Sequence, residues 1–170
     1  NTDIYEMDLK TQNLERLTNY SGIDTAPSYS PDGDFITFES DRSGSQKIYV
    51  MNLKNKKIKR ISFGEGKYAT PVWSPRGDLI AFTKLLGGEF YIGVMYTDGK
   101  GERVVYKSYL VEGPTWSPNG RVLSFYSQSK FSKGKISSPK IKLVDLTGMN
   151  LRELITPTDA SDPSWSGLLP

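Results

Sequence analysis

An all-β fold made of repeating four-stranded units follows from three observations. The first is a phrase present in four copies, opening at Pro27, Pro71, Pro114 and Pro163, with spacings of 44, 43 and 49 residues. Its fullest form is Pro71-Val72-Trp73-Ser74-Pro75-Arg76-Gly77-Asp78-Leu79-Ile80-Ala81-Phe82. The second is turn density: 16 glycines and 10 prolines in 170 residues suit short strands and hairpins better than helices. The third is that short β-forming runs recur at fixed offsets after each phrase. A repeat of roughly 40–50 residues built from short strands and tight turns is the signature of a propeller blade. The chain is therefore expected to be a partial β-propeller of four-stranded antiparallel blades.

Residues 1–26 read as the back half of a blade. Stretch 4–9 aligns with 48–53, 92–97 and 141–146 as third strands, and 14–18 aligns with 58–62, 102–106 and 151–155 as fourth strands. The repeats 27–70, 71–113 and 114–162 each supply four strands. Proline opens the innermost strand, where a first residue needs no ladder donor. The aromatic at Tyr29, Trp73 or Trp116 supplies a large apolar body for a half-buried position. Ser-Pro-x-Gly (Ser-Pro-Asp-Gly in the first copy) makes the hairpin, since proline presets one turn φ and glycine takes a positive one. The apolar run that follows, such as Leu79-Ile80-Ala81-Phe82, reads as a buried second strand.

The last segment, 163–170, reads as a closing innermost strand. The count is then 15 strands: an opening pair, three full blades of four and one closing strand. The third repeat is longer by about six residues, placed within 127–139 between its second and third strands. Insertions in repeat proteins fall in surface loops and often on a binding face. No linker interrupts the repeats, so 1–170 is read as one partial propeller domain. Its incomplete end blades point to further blades upstream, and their open edges, near 4–9 and at Trp165, to self-association.

Composition narrows the chemistry. The absence of histidine removes Ser-His-Asp and Cys-His catalysis and imidazole-ligated zinc. The absence of cysteine removes disulfides and thiolate sites. Neither a Gly-x-Ser-x-Gly elbow nor a phosphate-cradling loop occurs. Asp32, Asp34 and Asp41 approach a calcium-loop spacing but miss its ligand pattern, and Asp32 reads as a turn residue. A net charge of +3 is too weak to imply nucleic acid without a focused patch. The basic run 54–60 falls in an outer hairpin, where lysine protects an exposed edge. No apolar run is long enough to cross a bilayer. No enzyme activity, cofactor, metal, nucleic-acid partner or membrane insertion is expected.

The segments ahead of each opening proline are the informative ones. Stretches 22–26, 66–70, 110–113 and 159–162 are expected to be loops crossing from one blade's outer strand to the next blade's inner strand. They converge at the channel mouth. Asp24, Thr25, Lys67, Tyr68, Thr70, Glu112 and Asp162 would then form a mixed polar surface with Tyr68 as aromatic anchor, which suits protein recognition.

The repeat phrase, Trp-Ser-Pro-x-Gly-x-x-Ile-Ala-Phe in outline, and Ile-Tyr-Val-Met-Asn-Leu at 48–53 resemble the WD40-like (PD40) propeller repeats of the TolB family. The order of repeat variants and the ending Pro163-Ser164-Trp165-Ser166-Gly167-Leu168-Leu169-Pro170 resemble the C-terminal part of that propeller. The resemblance covers all 170 residues. It implies about three full blades, with incomplete terminal pieces, of a six-bladed disc. It also implies a periplasmic, non-enzymatic protein-binding scaffold of the Tol–Pal envelope system in a Gram-negative bacterium. Such a protein binds the lipoprotein Pal through the propeller face and supports outer-membrane integrity and cell division, and bacteriocins are imported through the same face. The family's TolA-contacting N-terminal segment is not among these residues. Thr25-Ala26 sits where the family's Pal-facing inter-blade loops lie. Prolyl-oligopeptidase-type and tricorn-like peptidases share the repeat motif, so the propeller portion of such a peptidase is the alternative. A carbohydrate-binding propeller is a third reading, resting on aromatics alone.

Overall fold

In the computed structural model, which describes residues 1–166, fourteen strands form four successive sheets. Strands β1 (Tyr5–Met7) and β2 (Leu14–Arg16) pair alone. The second sheet holds β3 (Asp24–Tyr29), β4 (Phe35–Ser40), β5 (Lys47–Asn52) and β6 (Ile58–Arg60). The third holds β7 (Lys67–Trp73), β8 (Leu79–Leu86), β9 (Glu89–Tyr96) and β10 (Arg103–Ser108). The fourth holds β11 (Leu110–Trp116), β12 (Val122–Gln128), β13 (Lys140–Asp145) and β14 (Arg152–Leu154). In each sheet, strands lie side by side in chain order and pair antiparallel. The all-β, partial-propeller expectation of three full blades plus an incomplete one holds.

The phrase works through its serine as much as through proline and glycine. Ser30 N–H donates to Phe35 O at 2.9 Å, and the Ser30 hydroxyl oxygen accepts from Phe35 N–H at 3.0 Å. Ser117 repeats both bonds with Val122, at 2.8 and 3.0 Å. Gly33 closes the first turn onto Ser30 O at φ +74, in the left-handed region that glycine enters without steric cost. Ser30, Ser74 and Ser117 are all buried, so their hydroxyls satisfy backbone groups that water cannot reach.

Two expectations change. Three of the four stretches ahead of the prolines are not loops: the inner strands β3, β7 and β11 begin three or four residues upstream of Pro27, Pro71 and Pro114, while 159–162 carries no strand. The prolines lie inside the strands, at ladder breaks between Thr25 and Ser28, Ala69 and Val72, and Glu112 and Thr115. The cause is local. Proline has no N–H for the ladder, so the register slips past it and a bulge forms. The residue before each proline turns left-handed to make the bulge: Ala26 at φ 52, Thr70 at φ 45 and Gly113 at φ 66. Asp162, ahead of Pro163, repeats the step at φ 50. Second, no strand forms over 163–166, and 167–170 lie outside the described residues. A strand needs a neighbour's ladder, and the incomplete first sheet consists of β1 and β2 alone.

The core lies between sheets. Ile4 and Leu17 of the opening piece pack on Ile36, Phe38, Tyr49 and Met51 of the second sheet. Ile48 and Ile61 of the second sheet meet Tyr68, Trp73, Ile80, Phe82 and Met95 of the third. Leu79, Ile92, Val94 and Val105 of the third meet Val111, Trp116, Leu123, Phe125 and Val144 of the fourth. The phrase's final phenylalanine is fully buried in each of the three copies that have one, at Phe38, Phe82 and Phe125.

Candidate functional site

The residues singled out from the sequence gather where the inner strands begin, on the rim opposite the Ser-Pro-x-Gly turns. Each inner strand meets its blade's second strand there at an equivalent register pair: Thr25 with Glu39, Ala69 with Thr83, and Glu112 with Tyr126. The second-strand partners follow the terminal phenylalanine of each phrase. Glu39, Thr83 and Tyr126 are thus rim residues that attention to the prolines overlooked. Their signal in the sequence is that fixed one-residue offset from Phe38, Phe82 and Phe125.

Glu39 ties two blades together. One carboxylate oxygen accepts from the Thr25 hydroxyl at 2.7 Å and the other from Thr70 N–H of the next blade at 3.0 Å. Thr70 continues the chain through a 2.8 Å hydroxyl contact with Thr83. In the fourth sheet the Tyr126 hydroxyl donates to Glu112 at 3.3 Å. Burial, then the nearby Glu112 charge, pushes the Tyr126 phenol above its ordinary pKa, so it stays a donor. Thr25, Ala26 and Thr70 are half-buried, and Glu112, Asp162 and Lys67 are exposed. Asp162 accepts from the Ser161 hydroxyl at 2.7 Å.

Asp24 and Tyr68 do different work from the exposed set. The Asp24 side chain is fully buried, and its two oxygens accept from one Arg42 nitrogen, Nη2, at 2.9 and 2.7 Å, while Arg42 Nε donates to the Ser40 hydroxyl oxygen at 2.9 Å. Arg42 in turn stacks over Tyr20, Phe38 and Tyr49 at 5.1–5.3 Å. Tyr68 is fully buried, so its ring offers no anchor to a partner. Its hydroxyl donates to Glu102 at 2.8 Å, and Lys84 reaches the same carboxylate at 2.7 Å. Burial, against the pull of Lys84, raises the Tyr68 phenol to about 12. Burial opposes the Lys84 charge, yet Glu102 and Tyr68 together raise its pKa. Lys47 beneath this network donates to the carbonyls of Gly64 and Gly66 at 2.8 and 2.7 Å. Tyr68, Lys84 and Glu102 brace the third blade from within, and Lys47, lying over the Tyr68 ring at 4.9 Å, links the second blade to it.

At the opposite end of the inner strands, Tyr29, Trp73, Trp116 and Trp165 with Pro31, Pro75 and Pro118 line an open groove of ≈ 410 Å³. The Trp116 indole donates to Val72 O of the neighbouring blade at 3.0 Å, and Trp73 N–H to the Ser28 hydroxyl at 3.1 Å. That end is stitched by the Trp116 indole and by the Trp73 backbone N–H on the Ser28 hydroxyl, whereas the rim is stitched by a carboxylate and hydroxyls. Among the described residues no three His, Cys, Asp or Glu side chains gather as metal ligands would, and no helix is long and apolar enough to cross a membrane. The rim presents fixed acceptors, hydroxyls and three exposed charges, those of Lys67, Glu112 and Asp162.

Comparison with known proteins gives the same frame. The family model described as the TolB beta propeller domain matches residues 1–169. A Tol-Pal system protein TolB from Zymomonas mobilis is 58% identical over 85 residues, which is 50% of this chain and 18% of that protein. The chain therefore matches less than a fifth of that relative's length. The crystal structure of TolB from Acinetobacter baumannii superposes with a TM-score of 0.79 at 28% identity, over 92% of this chain and 38% of that one. A Mycobacterium tuberculosis puromycin-hydrolyzing peptidase superposes at 0.65 with 17% identity, over 91% and 27% of the two chains. That last likeness is one of fold alone.

Proposed function

The chain belongs to the TolB β-propeller family, and from that premise we propose that it is the recognition portion of a non-catalytic periplasmic scaffold in the Tol–Pal envelope system. Its partner is the lipoprotein Pal, docked on the rim where the inner strands begin. Through that contact the protein supports outer-membrane integrity and cell division, and bacteriocin import uses the same face. The observation that carries this reading is the set of left-handed residues ahead of the repeat prolines: Ala26, Thr70 and Gly113 at bulges, and Asp162 outside any strand. Non-glycine residues held in that region store strain, and such strain gathers at binding sites. Here it presents Thr25, Ala26, Thr70, Glu112 and Asp162, with Lys67 beside them, as one rim. Asp24 and Tyr68 serve it from below as buried supports.

Charge reversal at two exposed rim positions, Glu112→Arg with Asp162→Arg, tests the assignment without touching the core. Calorimetric titration of the complete protein with purified Pal should show binding about tenfold weaker in the double variant. Thermal melting should be unchanged. Equal affinity in the variant and the parent would refute the rim as the docking surface.

A further inference from the structure

The inserted segment of the fourth sheet is built rather than loose. Strand β12 ends at Gln128, which pairs with Leu110, the first residue of β11, so the insertion leaves from the rim itself. It folds back on itself as a small hairpin. Ser137 N–H donates to Ser129 O at 2.9 Å, and Ser129 N–H to the Ser137 hydroxyl at 2.9 Å. The Gln128 amide donates to Ser137 O at 3.0 Å, and Phe131 N–H to Lys135 O at 2.7 Å around a single 3-10 turn. A solvated spacer needs none of these bonds.

What the hairpin displays is unusual for a spacer. Phe131 is 54% exposed and Ile136 44% exposed, although both are held in ordered backbone. With the 156–159 segment they wall a cleft of ≈ 440 Å³ whose lining also includes Lys135, Lys140, Pro157 and Asp159. Segment 127–139 contains three lysines and no carboxylate. Lys130 lies over the Tyr109 ring at 5.3 Å, and neither it nor Lys135 makes an ion pair among the described residues. Nearby Glu153 is held by Lys142 at 2.8 Å, with Lys140 farther off at 3.8 Å. Asp159 is the one carboxylate among the described lining residues. The cleft thus combines apolar walls with surplus positive charge.

We propose that this cleft is a second docking contact, taking an acidic segment with an apolar side chain from the partner bound at the rim. The inference rests on the rim reading above. Charge complementarity selects the occupant: Lys135 in the lining, with Lys130 outside it on the same hairpin, attracts carboxylates, while Phe131 and Ile136 bury the apolar side chain between them. Continuity with the rim places both contacts within reach of one partner.

The test uses the complete protein and two double variants, Lys130→Glu with Lys135→Glu, and Phe131→Ala with Ile136→Ala. All four side chains are exposed, so unaltered thermal melting is expected and is checked first. Titration with Pal should show about fivefold weaker binding for the charge reversal, with a shallower salt dependence, and about tenfold weaker binding for the apolar pair. If the parent binds Pal and both variants bind equally well, the cleft contact is overturned and the rim reading stands. If the parent does not bind Pal at all, the rim reading fails. A fluorescein-labelled peptide of alternating glutamate and leucine then probes the cleft alone. Saturable binding lost in both variants would support the cleft, and no saturable binding would overturn it.

Discussion

The Asp24 carboxyl has no access to water, and its two oxygens are held by a single Arg42 nitrogen whose guanidinium is stacked on three rings. Removing one member leaves the other buried and unpaired, the costly half of a buried ion pair. Arg42→Ala is therefore expected to lower stability in urea titration by about 3 kcal/mol. Arg42→Lys should rescue little, since an ammonium has neither the flat face that lies over the three rings nor the second nitrogen that holds Ser40 while the first holds Asp24. Asp145 is a contrasting carboxylate, on the surface. Hydrogen bonds from Thr147 and then Asn150 hold it down to about 2 from 3.8. A depressed folded-state pKa adds stability above the unfolded value and loses it as pH falls through the folded one. The turn after β13 should accordingly loosen as pH drops from 3.8 towards about 2. Amide exchange of Thr147 and Gly148 reports it, and Thr147→Ala should move the loss to higher pH. Neither setting was legible from the residue alone: Arg42 lies 18 positions from Asp24, and no local pattern announces the pairing.

At the scale of the strand, the bulge is the informative element. Gly113 has open space where a Cβ would stand, so Gly113→Ala isolates the backbone cost of the left-handed step. It should destabilise by roughly 1 kcal/mol in chemical denaturation. Ala26→Gly removes that cost while adding glycine's entropy, and should stabilise by about 0.5 kcal/mol. Gly93 is a different case, since a Cβ there would stand 2.4 Å from the Phe82 ring. Gly93→Ala should cost about 2 kcal/mol through overpacking of a closed core. Repeat phrase, hairpin and buried second strand could all be read from the residues. The true start of each inner strand could not. A strand containing proline looks like a strand opened by proline unless the preceding residue betrays its φ. Glycine does so at 113, whereas alanine and threonine at 26 and 70 give no sign.

Across the whole molecule, each sheet buries its apolar faces only against its neighbours, so stability is a sum of adjacent interfaces. Phe125→Ala should cost about 3–5 kcal/mol and fall on the third and fourth sheets together. Hydrogen exchange should show protection lost across β7 to β14 while β3 to β6 keep theirs. Uniform loss through all the sheets would contradict nearest-neighbour coupling. Blade number was legible because the period survives in the residues; the closing strand was not, because pairing depends on a ladder that local sequence does not encode. The bulge has a further consequence. It divides every inner strand into two short ladders with no hydrogen bond at the joint. One half is fastened by tryptophan and serine to the next blade. The other half carries Thr–Glu, Ala–Thr or Glu–Tyr pairs that differ from repeat to repeat. The residues at that end can therefore vary from repeat to repeat while the masonry at the other end is left untouched.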